Sequence, residues 1–550
     1  MGVGVGPLPN DVTSQHTMPN APTSAEVASF GPPSPAVTVA GCRRRRRYLP
    51  GLVTLAVLGL LGVAAAPSAW AAVTTTTIGA DPYTNTSSQH QTQVEPDSFA
   101  YGSTIVAAAQ TGRFYNGGSS NICWARSADG GTNWTNGCLP GITKHENASN
   151  PYDRVSDPVV AHDAKHGAWL ISSLPLTEAG GLRGAGVLTS RSTDGGVTWG
   201  PPVLVSGSNA GDPDKNWIVC DNTSTSPYYG NCYTQWDDSG DGNRLYMSTS
   251  TDGGVTWGAK KKTANNATGI GGQPVVAPNG TVIVPVDNAY EGALLSFRST
   301  DGGATWSSTV TVTTIKHHSV AGGLRTGPLP SAEIDGAGKV YVVWQDCRFR
   351  KKCASNDLVL TTSTNGTTWT TVTRIPIDAV GSTVDHFIPG LAVSPTTSGS
   401  GAKLALAYYF YPNTSCTTST CQLNVGFVTS SNGGVSWSAP TTLGGPMALS
   451  WLPSTSQGRM VGDYISTSFV NGVPRPVFTL ASAPVSGSFR QFMATSTGLS
   501  AATADSGAGG RAAAPPAAPA QSPADPAQSP AGADGVALLP SPSAGAAIRR

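Results

Sequence analysis

The stretch Ser192-Thr-Asp-Gly-Gly-Val-Thr-Trp-Gly200 decides the fold, because the same nine residues return unchanged at 250–258. Self-similarity at a fixed spacing reports architecture before it reports chemistry. A copy precedes the twins at 127–134, another follows at 299–306, and degenerate forms occupy 363–369 and 430–437, making six. Their tryptophans, Trp134, Trp199, Trp257, Trp306, Trp369 and Trp437, are spaced by 65, 58, 49, 63 and 68 residues. Each interval has room for four short strands and their loops, the size of a propeller blade.

The motif has the chemistry of a turn. A carboxylate or amide oxygen at its third position can accept backbone N–H groups further on, and the glycines supply positive φ at little steric cost. The tryptophan gives each turn a large apolar anchor. The acidic position reads Asp129, Asp194, Asp252 and Asp301, then Asn365 and Asn432. An amide can keep the hydrogen-bonding role but not an acid/base role, and six carboxylates crowded into one site could not all stay ionised. The repeat is therefore structural.

Residues 1–42 are rich in Pro, Ser, Thr and Gly and read as a disordered extension. In 43–71, five arginines, Arg43 to Arg47, lead into the apolar run LPGLVTLAVLGLLGVAAA, and Ala69-Trp70-Ala71 closes it. That order is a secretory signal, with an uncleaved membrane anchor as the other reading. Both carry the remainder out of the cytoplasm, and the arginine run is then a targeting feature rather than a nucleic-acid site. Removing 1–71 leaves 28 basic against 30 acidic side chains, too even a balance for a strong field. It also removes Cys42, leaving eight cysteines that pair by proximity: Cys123 with Cys138, Cys220 with Cys232, Cys347 with Cys353, and Cys416 with Cys421. From 499 to 550 the chain is an Ala/Pro/Gly/Ser tail that cannot offset its ordering entropy. The folded region is 73–498.

Within it, segments such as PSAEIDGAGKVYVVWQD and GGQPVVAPNGTVIVPVDN read as two paired strands, A and B, before each motif, with C and D flanking it. After Trp437, RMVGDYISTSFVNGVPRPVFTLASA repeats the A and B pattern and FRQFMATS adds a C strand. This makes an incomplete seventh blade, for which the segment 91–97 is the expected outer strand; a six-bladed ring with an extra hairpin is the alternative. The expectation is an all-β propeller with six motif-bearing blades, seven in all.

The motif S-x-D-x-G-x-T-W resembles the Asp box, or bacterial neuraminidase repeat, of sialidase-like propellers, and its six copies cover nearly the whole folded region. The resemblance implies a secreted exo-glycosidase acting on terminal sugars of extracellular glycans or glycoproteins, or a non-catalytic glycan- or protein-binding propeller of the cell envelope. The expectation is a monomer with no required cofactor, and with membrane contact only if the signal is uncleaved.

If the boxes occupy C-to-D turns, the opposite face is built by residues just before A strands and just after B strands. That ring holds Glu95, Asp97, Asp153, Arg154, Asp157, Asp212, Asp214, Lys215, Arg325, Glu333, Asp385, His386, Arg459, Asp463 and Tyr464 on the A side. On the B side stand Arg113, Tyr115, Trp236, Asp237, Asp287, Tyr290, Glu291, Asp346, Arg348, Tyr409 and Tyr411. A sialidase is expected to need three arginines for the sugar carboxylate, a tyrosine nucleophile with a glutamate, and an aspartic acid. The candidate arginines are Arg154, Arg348 and Arg459. Tyr464 beside Asp463, or Tyr290 beside Glu291, is the candidate nucleophile pair, and Asp157 or Asp97 the acid. Asp214 and Asp346 join the substrate-binding candidates. Arg374-Ile375-Pro376 copies a family arginine motif, but on an outer strand. A separate loop, Asp237-Asp-Ser239-Gly-Asp241-Gly-Asn243, spaces oxygen donors like the start of a calcium loop, so Asp237, Ser239 and Asp241 are candidate ligands of a structural calcium, with a plain hairpin turn as the rival.

Overall fold

The computed structural model describes residues 72–207 and 211–500. The N-terminal extension, the arginine run with its apolar segment, and the tail from 501 lie outside them. Among the described residues every regular element is a strand except for three-residue 3₁₀ turns. No helix there is long and apolar enough to cross a membrane.

The strands pair antiparallel in successive groups of four. The first joins Gln89–Tyr101, Thr104–Arg113, Ser119–Ser127 and Thr135–Cys138. The second joins Arg154–Asp163, Ala168–Thr177, Gly186–Ser192 and Val203–Gly207. The third runs from Pro213–Cys220 to Lys261–Lys262, the fourth from Val275–Val276 to Val310–Thr314, the fifth from Ser331–Ile334 to Thr373–Arg374, and the sixth from Asp385–Val393 to Thr441–Ala448. A last group takes Ser466–Val470, Val473–Ala481 and Gln491–Thr497 from the end of the folded region and its outer strand, Thr74–Thr77, from the beginning. Residues 91–97, expected as that outer strand, instead belong to the inner strand of the first group, where Gln93 and Val94 pair with Thr111 and Gln110.

The second strands of these sheets are buried along most of their length, and Val340–Asp346 is buried throughout. A sheet covered on both faces has no need to alternate apolar and polar residues, which explains the continuous apolar runs. The covering is by neighbouring sheets. One apolar cluster joins Val106 and Trp124 of the first sheet to Trp169 and Leu188 of the second. Others join the second to the third, the third to the fourth, and so on to the sixth and last. A further cluster, containing Ala107 and Ala125 with Val477, Met493 and Ile78, joins the last sheet to the first.

All six boxes lie between third and fourth strands. In the twin at 192–199, Asp194 Oδ1 accepts the N–H groups of Val197 and Thr198, both at 3.0 Å, while Ser192 Oγ accepts Gly196 N. Asn365 and Asn432 accept equivalent backbone donors through their amide oxygens. The turns also clasp the preceding sheet. Arg126 donates to the Gly195 carbonyl at 2.5 Å, Arg191 to Gly253 at 2.7 Å, Arg298 to Asn365 at 2.7 Å, and Arg475 of the last sheet to Gly130 of the first at 2.9 Å. Trp306 packs edge-on against Tyr233 of the sheet before it.

The four disulfides pair as expected, each within one group or the loops between its strands. Such bonds fit an oxidising, extracellular compartment. The acidic loop after Trp236 forms a 3₁₀ turn, Ser239–Asp241, inside a hairpin. Its oxygens serve different partners: Ser239 Oγ donates to Asp212 O, Asp241 accepts the Tyr246 hydroxyl at 2.6 Å, and Asp237 accepts Asn243 Nδ2.

The box glycines allow a direct test of inter-sheet packing. Gly196 and Gly102 share a left-handed backbone, with φ of 82° and 60°. A Cβ on Gly196 would lie 2.8 Å from Val106 Cγ2 of the preceding sheet, whereas nothing lies within 4 Å at Gly102. Gly196→Ala is expected to lower the unfolding free energy by roughly 1–3 kcal/mol more than Gly102→Ala in paired denaturant melts. Equal losses would mean that the sheets do not meet tightly at the box.

Candidate functional site

A cleft of about 450 Å³ opens where the inner strands approach one another. That size suits one small organic group or sugar ring. Its polar lining is drawn from distant parts of the chain. The first sheet supplies Glu95, Gln110 and Arg113, the second Asp157, and the third Asp214 and Lys215. Glu291 comes from the loop after Val282–Asp287, Arg325 from the approach to the fifth sheet, and Asp463 from the approach to the last.

The inner strands present these groups by a shared irregularity. Register shifts fall between Val94 and Asp97, between Ser156 and Val159, and between Asp214 and Trp217. Inside them Glu95, Asp157 and Lys215 adopt positive φ of 53°, 51° and 47°. The sixth sheet has the same shift with Ile388 at 49°. A bulge inserts a residue and re-aims its side chain, and a bulky residue at positive φ is strained unless its surroundings hold it there. Three of the four bulges thus place a charged group in the cleft. Glu291, in its loop, also has positive φ, 53°.

Lys215 Nζ is the hub. It lies 2.6 Å from Asp463 Oδ2, 3.5 Å from Asp157 Oδ2 and 3.6 Å from Glu95 Oε1. Arg325 holds the same Asp463 through two nitrogens, with Nε to Oδ1 at 2.8 Å. Gln110 Nε2 donates to the other oxygen of Glu95. Arg113 is buried, its Nε against the Met460 sulfur and Nη1 on the Gly118 carbonyl at 2.7 Å. No carboxylate among the described residues forms an ion pair with it.

These surroundings separate the acids. Burial and the Asp157 charge push the Glu95 carboxyl up to about 8, with Lys215 only partly offsetting them. Burial alone would raise Asp157 as well, but the Lys215 ammonium and the Ser156 hydroxyl outweigh it and hold Asp157 below the usual carboxylate range. Asp463 is likewise held low, against its burial, by Arg325 and Lys215. Asp157 and then Asp463 keep Lys215 charged despite burial. Burial and then Asp463 raise Glu291. Burial and then the charge of Arg325 lower Arg113 to about 10. The surroundings thus favour the protonated form of Glu95 and the ionised form of Asp157.

Of the residues chosen from sequence, Asp157, Asp463, Asp214 and Glu291 meet in this cleft. The three arginines do not. Arg154 pairs with Glu178 and lies over the Phe114 ring, Arg348 pairs with Asp346 at 2.7 Å, and Arg459 donates to the Leu452 carbonyl. Asp346 is spent on Arg348 and on Trp344 Nε1. Asp97 is buried on Val160 N at 2.7 Å and is pushed up to about 7 by its burial. Tyr464 does not have the setting of a nucleophile: its buried hydroxyl donates to the Pro158 carbonyl, and burial with the nearby carboxylates disfavours the phenolate. Tyr290 is 91% exposed while its neighbour Glu291 lines the cleft, so the pair is not one unit. Arg374 pairs with Asp357 and Asp378 on its outer strand, away from the cleft lining. Glu95, Lys215, Arg325 and Arg113 belong to the ring read from sequence but not to its named site candidates; the bulges that aim Glu95 and Lys215 have no sequence signature.

A comparison with curated proteins finds no match. Among solved structures, similar folds include a protein of unknown function from Dyadobacter fermentans, 16% identical, covering 66% of this chain and 99% of that one, with a TM-score of 0.42. The NanB sialidase of Streptococcus pneumoniae is 14% identical, with 77% and 70% covered and a TM-score of 0.38. A leech intramolecular trans-sialidase is 13% identical, with 73% and 67% covered and a TM-score of 0.35. The profile of the BNR repeat-like domain matches residues 181–393. Four of the six boxes fall inside that span: the chain carries a BNR repeat-like domain.

Proposed function

We propose that this chain is a secreted, monomeric glycoside hydrolase that removes a terminal acidic sugar from extracellular glycans, and that its seven four-stranded groups are the blades of a propeller with the cleft at its axis. The observation that carries the reading is the pair Glu95 and Asp157, two carboxyl groups on one lysine whose surroundings drive their protonation in opposite directions. Such divided environments let two acids take different roles at one pH. Since both lie near Lys215 Nζ, their facing oxygens are no more than about 7 Å apart, so both can face one bound sugar.

In this reading Glu95 gives its proton to the glycosidic oxygen as the bond to the anomeric carbon breaks. Asp157 faces the positive charge that develops on the sugar ring, and Lys215 keeps it ionised. Water completes the reaction, returning a proton to Glu95 and a hydroxyl to the sugar. Arg113, a buried guanidinium lacking a carboxylate partner among the described residues, receives the sugar carboxylate. Arg325 and Lys215, both committed to Asp463, fix the charges around it. No cofactor enters the reaction.

Release of free sialic acid from methyl sialoside by the full secreted protein tests the reading. Glu95→Gln is expected to lower kcat/KM by about a hundredfold or more with little change in melting temperature. Wild-type kcat/KM is expected to fall as pH rises through about 8, where Glu95 loses its proton, and to hold at lower pH until Asp157 is protonated. Arg113→Lys, which keeps the charge but loses the planar fork, should raise KM more than it lowers kcat. A folded wild-type protein that releases no sugar from any acidic or neutral glycoside would end the hydrolase reading and leave glycan binding in its place.

A further inference from the structure

Arg325 reaches Asp463 from the connection between the fourth and fifth sheets, which runs from Ile315 to Pro330 without a strand of its own. Leu324, Arg325, Thr326, Gly327 and Leu329 of this strap form one wall of the cleft. A connection of that length holds a side chain in place only if its backbone is held from outside. Two neighbours do so. On one side is the hairpin of Ser454–Thr455 and Gly458–Arg459, where Leu324 bridges to Arg459 and Arg325 N donates to the Arg459 carbonyl at 2.7 Å.

On the other side is the loop Cys416-Thr-Thr-Ser-Thr-Cys421, between the second and third strands of the sixth sheet and closed by a disulfide. Thr418 Oγ1 donates to the Gly322 carbonyl of the strap at 2.9 Å. Gly322 has a positive φ of 75°, and a Cβ there would lie 2.8 Å from the Cys421 sulfur and 2.6 Å from Leu449 Cδ1. The strap backbone thus rests on the bridge itself. Cys421 also shares an apolar cluster with Leu324, the residue before Arg325. Within the loop, Cys421 N donates to the Thr417 carbonyl at 2.8 Å and Thr417 N to Thr420 Oγ1 at 2.8 Å, which fixes the backbone around Thr418. The four disulfides span 15, 12, 6 and 5 residues, and the entropy a crosslink removes from the unfolded chain falls with that span. In those terms this bridge contributes least to global stability, while its contacts are with a wall of the cleft.

We propose that the disulfide-closed loop 416–421 positions Arg325 through the strap, and thereby sets the charge that the pair Glu95 and Asp157 experiences. The catalytic half of this rests on the hydrolase reading above. Cys416, Thr418 and Cys421 are positioning residues, since none of them lines the cleft. Glu95 faces Asp157, Lys215, Asp463, Arg325 and Arg113, and among these the Arg325 charge favours the ionised form of both Glu95 and Asp157. A strap that lets Arg325 drift leaves both acids holding their protons to higher pH.

Two variants of the full secreted protein test this. Cys416→Ala with Cys421→Ala removes the bridge, and Thr418→Val keeps it but removes the hydrogen bond to Gly322. Cys123→Ala with Cys138→Ala, which removes a bridge between the third and outer strands of the first sheet, is the control. Hydrogen exchange of the peptide 320–326 is expected to quicken about tenfold in the first variant and about two- to threefold in Thr418→Val, and to stay unchanged in the control. For methyl sialoside, the first variant is expected to lose about five- to tenfold in kcat/KM, and its alkaline fall to move upward by about half a pH unit. A loss of folded protein alone would scale the whole profile and leave that limb in place. Exchange unchanged in both variants, or raised equally in the control, overturns the proposal. So does faster exchange with an unmoved alkaline limb, which would cut the link from strap to catalytic pair. If the first variant does not fold, Thr418→Val decides by the same two readings. A folded wild type that releases no sugar fails the hydrolase reading by itself, and exchange alone then decides whether the loop positions Arg325.

Discussion

The structure depends on a turn in which one carboxylate or amide oxygen gathers two backbone N–H groups, leaving a glycine free to touch the next sheet. Asp194 stabilises the backbone donors of its own turn, and that geometry lets Gly196 lie against Val106 while the Gly195 carbonyl receives Arg126. The same relation recurs around the molecule, including from Arg475 of the last sheet to Gly130 of the first. Sheets so clasped need no α-helix to cover them, since each supplies the apolar face that its neighbour must bury. The deep hydrophobic cost of exposing two-sided sheets is thereby avoided by repetition alone.

With the outer turns committed to holding sheets together, the inner strands are left to carry the charged groups. Burying three carboxylates, a lysine and two arginines together is costly unless they neutralise one another. The ion pairs of Lys215 and Arg325 with Asp463 do this, and the remaining acids divide into one that keeps its proton and one that loses it. Local strain at Glu95, Asp157 and Lys215 is sustained because each bulge lies within a strand paired along most of its length.

What the sequence makes legible is whatever repeats. The boxes announce themselves through nine identical residues, and the cysteine pairs through their proximity; both have the structural roles expected of them. The closing strand is Thr74–Thr77 rather than 91–97, and it leaves no apolar pattern in the sequence because it is an outer strand with exposed or half-exposed side chains. The site was only partly legible for a different reason. Strand alternation predicts side-chain direction only while the register is unbroken, and a single inserted residue reverses it. Asp97 and Glu95 are two positions apart and should share a face, yet the shift between Val94 and Asp97 sends Glu95 to the cleft and Asp97 to Val160 N. Arg154 and Arg348 looked equally suitable as sugar ligands because their composition is right; only the contacts with Glu178 and Asp346 show that their charges are already matched.

The pairing of Thr74–Thr77 with Gln491–Thr497 has a consequence for how the molecule comes into being. Strands made first must wait for strands made last, across 423 residues between Thr74 and Thr497. Contacts of such long range form late, after the intervening chain has settled into local hairpins. During synthesis the first sheet therefore stands with one flank bare until the final hairpin arrives, and the interval is one in which a chaperone, or another copy of the chain offering the same terminal strand, competes for that flank. Exchange of the first strand between two nascent chains is the characteristic error this topology invites, and the speed of the last hairpin sets how often it can occur.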